Sequence, residues 1–296
     1  MPAGLQNSTM PTKLKSTAST ANGLPPIPAG FSLPFYYHSL QDCELFFCVP
    51  PRILAPYLQG TGLEVALFEG RGAASFNFQN YTAQFAGFDS VVLEIECNIL
   101  AYPASRRHEV PRLTFAEFLS GQDQTRLIGH HHFAVACTNT NAVQAGIQLF
   151  GEPKFLANIN PNTPSPNSPG VETWSWVCSD YDAANPGSQT PLIFSTTLDV
   201  RGLPSELSSA SPITEYGRAQ RQLIAARWNI FGDYTTYRAT PRQALPVKMT
   251  YGTSQQPMRT DLQHIIGDAP CVAARLFQSA PVATQARSFY VNPKRR

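Results

Sequence analysis

Apolar residues recur at alternate positions through most of this chain, and few stretches show the three-to-four spacing of an amphipathic helix. Residues 63–68 (LEVALF) and 74–81 (ASFNFQNY) keep a period close to two, while 90–100 and 132–137 read as more fully buried strands. Residues 173–178 and 192–198 flank the turn-rich segment 182–189 and predict a hairpin. Further strands are expected over 223–230, 234–238, 247–251 and 273–277. Two short helices are predicted. One covers 42–47, with Asp42 as cap and an end before Pro50-Pro51, because proline disfavours helix in its predecessor. The other covers 114–119, where Thr114 and Glu117 have capping-box spacing. Residues 31–37 (FSLPFYY) read as a segment packed on the body, and 158–170, crowded with Asn, Pro and Ser, as a loop.

Many strands joined by long irregular loops predict a mainly β (α+β) protein whose sheet closes on itself, since closure removes exposed edges. Composition agrees: 43% hydrophobic residues are ordinary for a globular chain, 14% charged is low, and 26 prolines with 19 glycines demand many turns. Residues 1–30 are rich in Ser, Thr, Pro, Ala and Gly, so they predict a disordered tail ahead of a single domain over 31–296. A net charge of +2 gives no electrostatic case for nucleic acid or a membrane surface. No stretch approaches the roughly 18 uninterrupted apolar residues of a spanning helix, and the N-terminus lacks the apolar core of a signal peptide. The expectation is a soluble cytoplasmic protein. Its six cysteines are scattered without a CxxC pair, and Cys48, Cys97, Cys137 and Cys178 lie in apolar runs as core residues rather than a disulfide framework.

The candidate chemistry centres on one amine. Only five lysines stand against seventeen arginines, and Lys154 is flanked by Phe150, Phe155 and Leu156. Desolvation there favours a neutral amine that attacks carbonyls, whereas an ordinary surface lysine would lay its stem along the same apolar neighbours. Glu152, two residues earlier and before Pro153, points to the same side of an extended chain. It can shuttle protons for the amine, but as a carboxylate it also raises the lysine pKa and can make the pair a structural one.

The run 129–157 (GHHHFAVACTNTNAVQAGIQLFGEPKFLA) resembles the acetoacetate decarboxylase family. Ala142, Gly146, Pro153 and Lys154 fall in register with the family's alanine turn, glycine and proline-lysine. Weaker likeness extends back through 42–66 and forward to 268–272. The resemblance implies a cone-like antiparallel β-barrel with peripheral helices, assembly into homo-oligomers, and a Schiff-base role for Lys154 with no cofactor. It places Gln148 at a position used for polar contacts, and Ile147 and Phe155 where the family has arginine and a second lysine. A central-strand glutamate falls on Ser90, or in a shifted register on Glu94 or Glu96. The family's carboxylate-binding arginine falls around His38, where this chain has none.

Lys154, Glu152 and Gln148 are therefore the catalytic candidates. Ile147, Phe155, Ser90, His38 and His132 are the candidates for holding a small-molecule carbonyl substrate. His130 and His132 share a strand face and invite a metal, but no third ligand follows at a recognisable spacing, so none is assigned. The loss of cationic residues predicts a larger, less charged substrate of secondary-metabolite type. An iminium on Lys154 would serve aldol, dehydration or cyclisation chemistry in a lyase. Decarboxylation of another β-keto acid is the alternative, as is a barrel that binds an apolar ligand or acts noncovalently.

Overall fold

A computed structural model describes residues 24–85, 88–164, 172–185, 187–240 and 242–280, with backbone only at 85 and 88–90. Strand β1 (Tyr37–Val49) leads into helix α1 (Pro51–Leu54) and a 3-10 turn (Ala55–Leu58). Strands β2 (Leu63–Val65), β3 (Gly72–Phe85) and β4 (Phe88–Pro103) follow, then a 3-10 segment (Ala104–Glu109) and helix α2 (Phe115–Leu119). Strand β5 (Gly129–Cys137), helix α3 (Thr140–Ala145), a π turn (Gly146–Phe150) and strand β6 (Lys154–Asn162) form the middle of the chain. The remainder is β7 (Thr173–Asp180), β8 (Leu192–Asp199), β9 (Ser205–Ser208), β10 (Ile213–Ala219), β11 (Gln222–Trp228), β12 (Tyr234–Arg238), β13 (Val247–Tyr251), helix α4 (Pro257–Ile265) and β14 (Cys271–Gln278). Among the described residues, no helix is long and apolar enough to cross a membrane.

The predicted hairpin is β7 paired antiparallel with β8, and the capping box at Thr114 is complete, with Glu117 returning a bond to the Thr114 amide. Other expectations change. Residues 42–47 belong to β1, because Cys43, Leu45 and Phe47 enter the core while Asp42 and Glu44 face the other way, a period of two. The helix starts after Pro50 instead, with Pro51 in its first turn. The loop predicted over 158–170 is strand as far as Asn162, and residues 165–170 of it lie outside the described residues, as do residues 1–23 of the predicted tail. Helix α4 escaped the sequence reading, although Met258, Leu262 and Ile265 bury one side of it.

The fourteen strands make one sheet in the order β13-β8-β7-β6-β5-β4-β3-β1-β14-β12-β9, with β2, β10 and β11 branching off. The expected closed antiparallel barrel is corrected on both counts: the path is open, and β5 runs parallel to both β6 and β10. Parallel neighbours need a crossover connection. Residues 138–153 supply it between β5 and β6, carrying α3 and the π turn.

Three central strands explain where the site lies. On one face β1, β3 and β4 present Leu45, Phe76, Phe78 and Ile95 to the main core, where Trp176 stacks on Phe76 and Phe78 at 5.4 and 5.2 Å. On the other face each strand reads apolar, polar, apolar. Leu40 and Phe46 bracket Asp42 and Glu44; Ala73 and Tyr81 bracket Ser75, Asn77 and Gln79; Val92 and Leu100 bracket Glu94, Glu96 and Asn98. Antiparallel register lines these up as a buried polar band between two apolar clusters.

At one end of the band Glu44 receives Arg275 Nη2 at 2.7 Å and His130 Nε2 at 3.1 Å. Burial pulls its carboxyl upward, but Arg275 and His130 outweigh that and hold it at about 2. Because the folded pKa lies below the ordinary 4.5, this contribution to stability is complete above that pH and is lost as pH falls towards 2. Glu44→Gln strands a buried guanidinium and should cost about 3–5 kcal/mol in denaturant unfolding at pH 7, a deficit that narrows below about pH 4.

Candidate functional site

The second edge of β5 is divided. Its first half pairs with β10 (Glu215 opposite His130, Tyr216 opposite His131) and its last three residues pair with β6 (Val135 opposite Lys154). Between those pairings β6 and β10 part company, and a cleft of ≈ 200 Å³ opens, lined by His132, Phe150, Glu152, Glu215 and Ile224 among others. Lys154 is the first residue of β6 and so reaches this fork.

The turn before it is shaped to let it in. Gly151 sits at φ 67°, in the left-handed region, and closes the π turn. The Glu152 amide donates to the Gly146 carbonyl at 3.1 Å. A Cβ on Gly146 would lie 2.4 Å from Glu152 Oε2 and 2.5 Å from Lys154 Cδ, so only glycine lets the two side chains pass.

Lys154 Nζ donates to Glu94 Oε1 at 2.6 Å and to Glu152 Oε2 at 3.2 Å, and its side chain is 7% exposed. Tyr81 donates to the second Glu94 oxygen at 2.8 Å, and Tyr37 packs on Tyr81 with ring centroids 4.9 Å apart. Burial pulls the Lys154 ammonium down, but Glu152 and Glu94 together raise it well above its ordinary value. Of the two outcomes the sequence left open, the carboxylates prevail over the apolar flanks, and Lys154 rests as an ammonium. Burial raises the Glu152 carboxyl, with Lys154 opposing and Glu94 adding to the rise.

Further carboxylates close in. Burial, then the charges of Glu215 and Glu94, lifts Glu96 well above the usual range, and Glu215, on β10, is raised to about 8 by burial and Glu152. Asn77 Nδ2 donates to Glu96 at 3.2 Å. His132 is buried and its ring is held neutral, first by desolvation and then by the other histidines nearby.

Of the residues predicted from sequence, the fold lines the cleft with Glu152 and His132, and Lys154 is bonded to Glu152 beside it. The shifted register, with Glu94 against the lysine, is the one adopted. Gln148 faces solvent and bonds Gln144 at 2.8 Å, and Ile147 is 45% exposed, because the π turn directs Gly146 and Leu149 inward instead. Phe155 follows Lys154 on a strand, points to the opposite face and packs on the main core. His38 is exposed, and its neighbour Tyr37 takes the place beside Tyr81. The Ser90 backbone pairs with Ala83, and its side chain lies outside the described residues. Sequence reading missed Glu215, Tyr81 and Asn98. Their signal was polar residues inside strongly apolar strands, as in Glu94-x-Glu96-x-Asn98.

No protein-family model matches the sequence, and no curated protein matches it. Solved structures do match. The enduracididine biosynthesis enzyme MppR complexed with pyruvate is 14% identical at a TM-score of 0.50, over 93% of this chain and 94% of that one. MppR complexed with the condensation product of pyruvate and imidazole 4-carboxaldehyde is 11% identical at 0.50, over 92% and 94%. Acetoacetate decarboxylase from Legionella pneumophila is 10% identical at 0.50, over 90% and 94%. The chain thus has the acetoacetate decarboxylase-like fold, and the likeness first met in residues 129–157 extends over most of it.

Lys154→Met leaves Glu94 and Glu152 buried without their cation. The Glu152 carboxyl, already raised by burial, loses the charge that held it down and rises further, so stability falls as pH rises from about 4.5. The variant should be about 3–5 kcal/mol less stable than the parent at pH 8 and nearly equal to it at pH 4.5, read by urea melts at both.

Proposed function

We propose that the protein is a lysine-dependent lyase that turns a carbonyl compound into an iminium on Lys154. The observation that carries this reading is the buried Glu94–Lys154–Glu152 triad, whose Glu152 lines a cleft. Supporting it, the fold is shared with an enzyme seen with pyruvate and with a pyruvate condensation product, and with an acetoacetate decarboxylase.

An ammonium is no nucleophile, so the first step moves one proton from Nζ to Glu152, whose carboxyl burial has already raised. The freed amine attacks the carbonyl carbon; a C–N bond forms and the oxygen takes the proton from Glu152. Loss of that oxygen as water leaves a protonated imine, which accepts the electron pair of a bond broken at the neighbouring carbon. Glu94, held by Tyr81, stays beside the nitrogen and offsets its positive charge. Decarboxylation, retro-aldol cleavage, dehydration and cyclisation all pass through this species.

The cleft also selects. Lys154 is already held by Glu94 and Glu152, so its charge is not offered to the carboxylate of a small free keto acid. The space in the cleft that a water-sized group can reach is small, so it takes only the reacting end of a neutral ketone or aldehyde. A second reading is favoured by the ammonium itself: Lys154 could polarise the carbonyl by hydrogen bonding without forming a bond.

Borohydride added with a panel of neutral methyl ketones, β-diketones and keto acids should inactivate the protein only when a substrate is present, leaving a reduced adduct on the peptide containing Lys154. Ligand binding without an adduct, together with activity retained in Lys154→Arg, would move the noncovalent reading ahead. Glu152→Gln should slow turnover about 10²-fold or more while the protein still folds; unchanged turnover removes Glu152 from the mechanism.

A further inference from the structure

Beside the lysine, on the other arm of the fork, three potential ligands converge from three strands. Glu96 lies on β4, His132 on β5 and Glu215 on β10, and one donor atom from each lies within 4.8 Å of the other two. The histidine is set for a purpose that nothing else in the protein explains. Its Nδ1 meets Asn98 Oδ1 at 2.5 Å, and Asn98 is itself oriented by donating Nδ2 to Ser75 at 3.2 Å. An amide oxygen only accepts, so Nδ1 carries the ring proton and Nε2 presents its lone pair. That Nε2 is buried and has no hydrogen-bond partner, in a residue 4% exposed. An orphaned acceptor beside two carboxylates is a costly arrangement, because none of the three can donate to another unless protons are added.

We infer that Glu96, His132 and Glu215 form a binding site for one divalent first-row transition cation, with Asn98 fixing the imidazole. Mixed carboxylate and imidazole ligands suit Mn²⁺, Fe²⁺ or Zn²⁺. An outer partner on the far ring nitrogen is the usual companion of a metal-bound histidine. His132 and Glu215 also line the cleft that Glu152 lines, so coordination positions not filled by the protein would face the space beside the partner of Lys154. Three protein ligands with the rest open is the pattern of a cation that meets substrate, here as a Lewis acid for a carbonyl oxygen. The sequence search for a third ligand failed because it looked along the chain, whereas the ligands come from separate strands.

The test is calorimetric titration of the chelator-treated full-length protein with Zn²⁺ and, separately, Mn²⁺, with thermal melts alongside. The site predicts one equivalent of at least one of the two ions bound and a cation-dependent rise in Tm. Asn98→Ala should weaken binding about 10–100-fold without removing a ligand, and His132→Ala and Glu215→Gln should abolish stoichiometric uptake. Glu215 is the least buried of the three, so its variant decides the matter where His132→Ala does not fold. Lys154→Met should keep the cation, which separates this site from the lysine chemistry. Failure of the parent protein to take up a stoichiometric amount of either ion would overturn the assignment, as would uptake undiminished in Glu215→Gln.

Discussion

A carboxylate removed from water must be met by a cation, a proton or several donors, and this sheet buries them in a row. Asp42, Glu44, Glu94 and Glu96 stand on neighbouring strands of one face, and Glu152 and Glu215 are brought to its edge. Each is answered differently. Glu44 has Arg275 and His130, Asp42 accepts from Tyr234 at 2.7 Å, and Glu94 shares Lys154 with Glu152. One cation serves that last pair, so the charge of Lys154 offsets the burial of both carboxylates.

The constraint also explains why the site lies where it does. A strand with a single neighbour on each edge would close over its polar groups, whereas β5 gives half of one edge to β6 and half to β10. The crossover that makes β6 parallel to β5 delivers Glu152 and Lys154 to that fork, and Gly146 gives them room. Fold irregularity and chemistry are thus the same feature. The parallel pairings that break the antiparallel sheet create the cleft.

Much of this was legible in the sequence, for identifiable reasons. Strands such as Tyr234–Arg238 and Val247–Tyr251 were bounded by turn residues and read to their ends. Lys154 stood out because lysine is rare here, and its glycine and proline neighbours carried the family likeness. What could not be read was anything set by pairing across strands. Asp42 looked like a helix cap because aspartate is a common cap, whereas it sits inside β1 and accepts from Tyr234. Phe155 looked like a pocket wall because adjacency in sequence hides the fact that strand neighbours face opposite ways. The charge of Lys154 was left open between its apolar flanks and Glu152, because the carboxylate that binds it most closely, Glu94, is sixty residues away.

The account's central claim is that Lys154 rests as an ammonium clamped between two carboxylates, and five lysines make it directly observable. An NMR titration of the lysine side-chain nitrogens, with Lys154 assigned by its loss in the Lys154→Met variant, reads that charge. The account predicts a signal that stays in the ammonium form above the ordinary 10.5. A Lys154 nitrogen that deprotonates below that value would contradict it, and would mean that burial, not Glu94 and Glu152, controls the site.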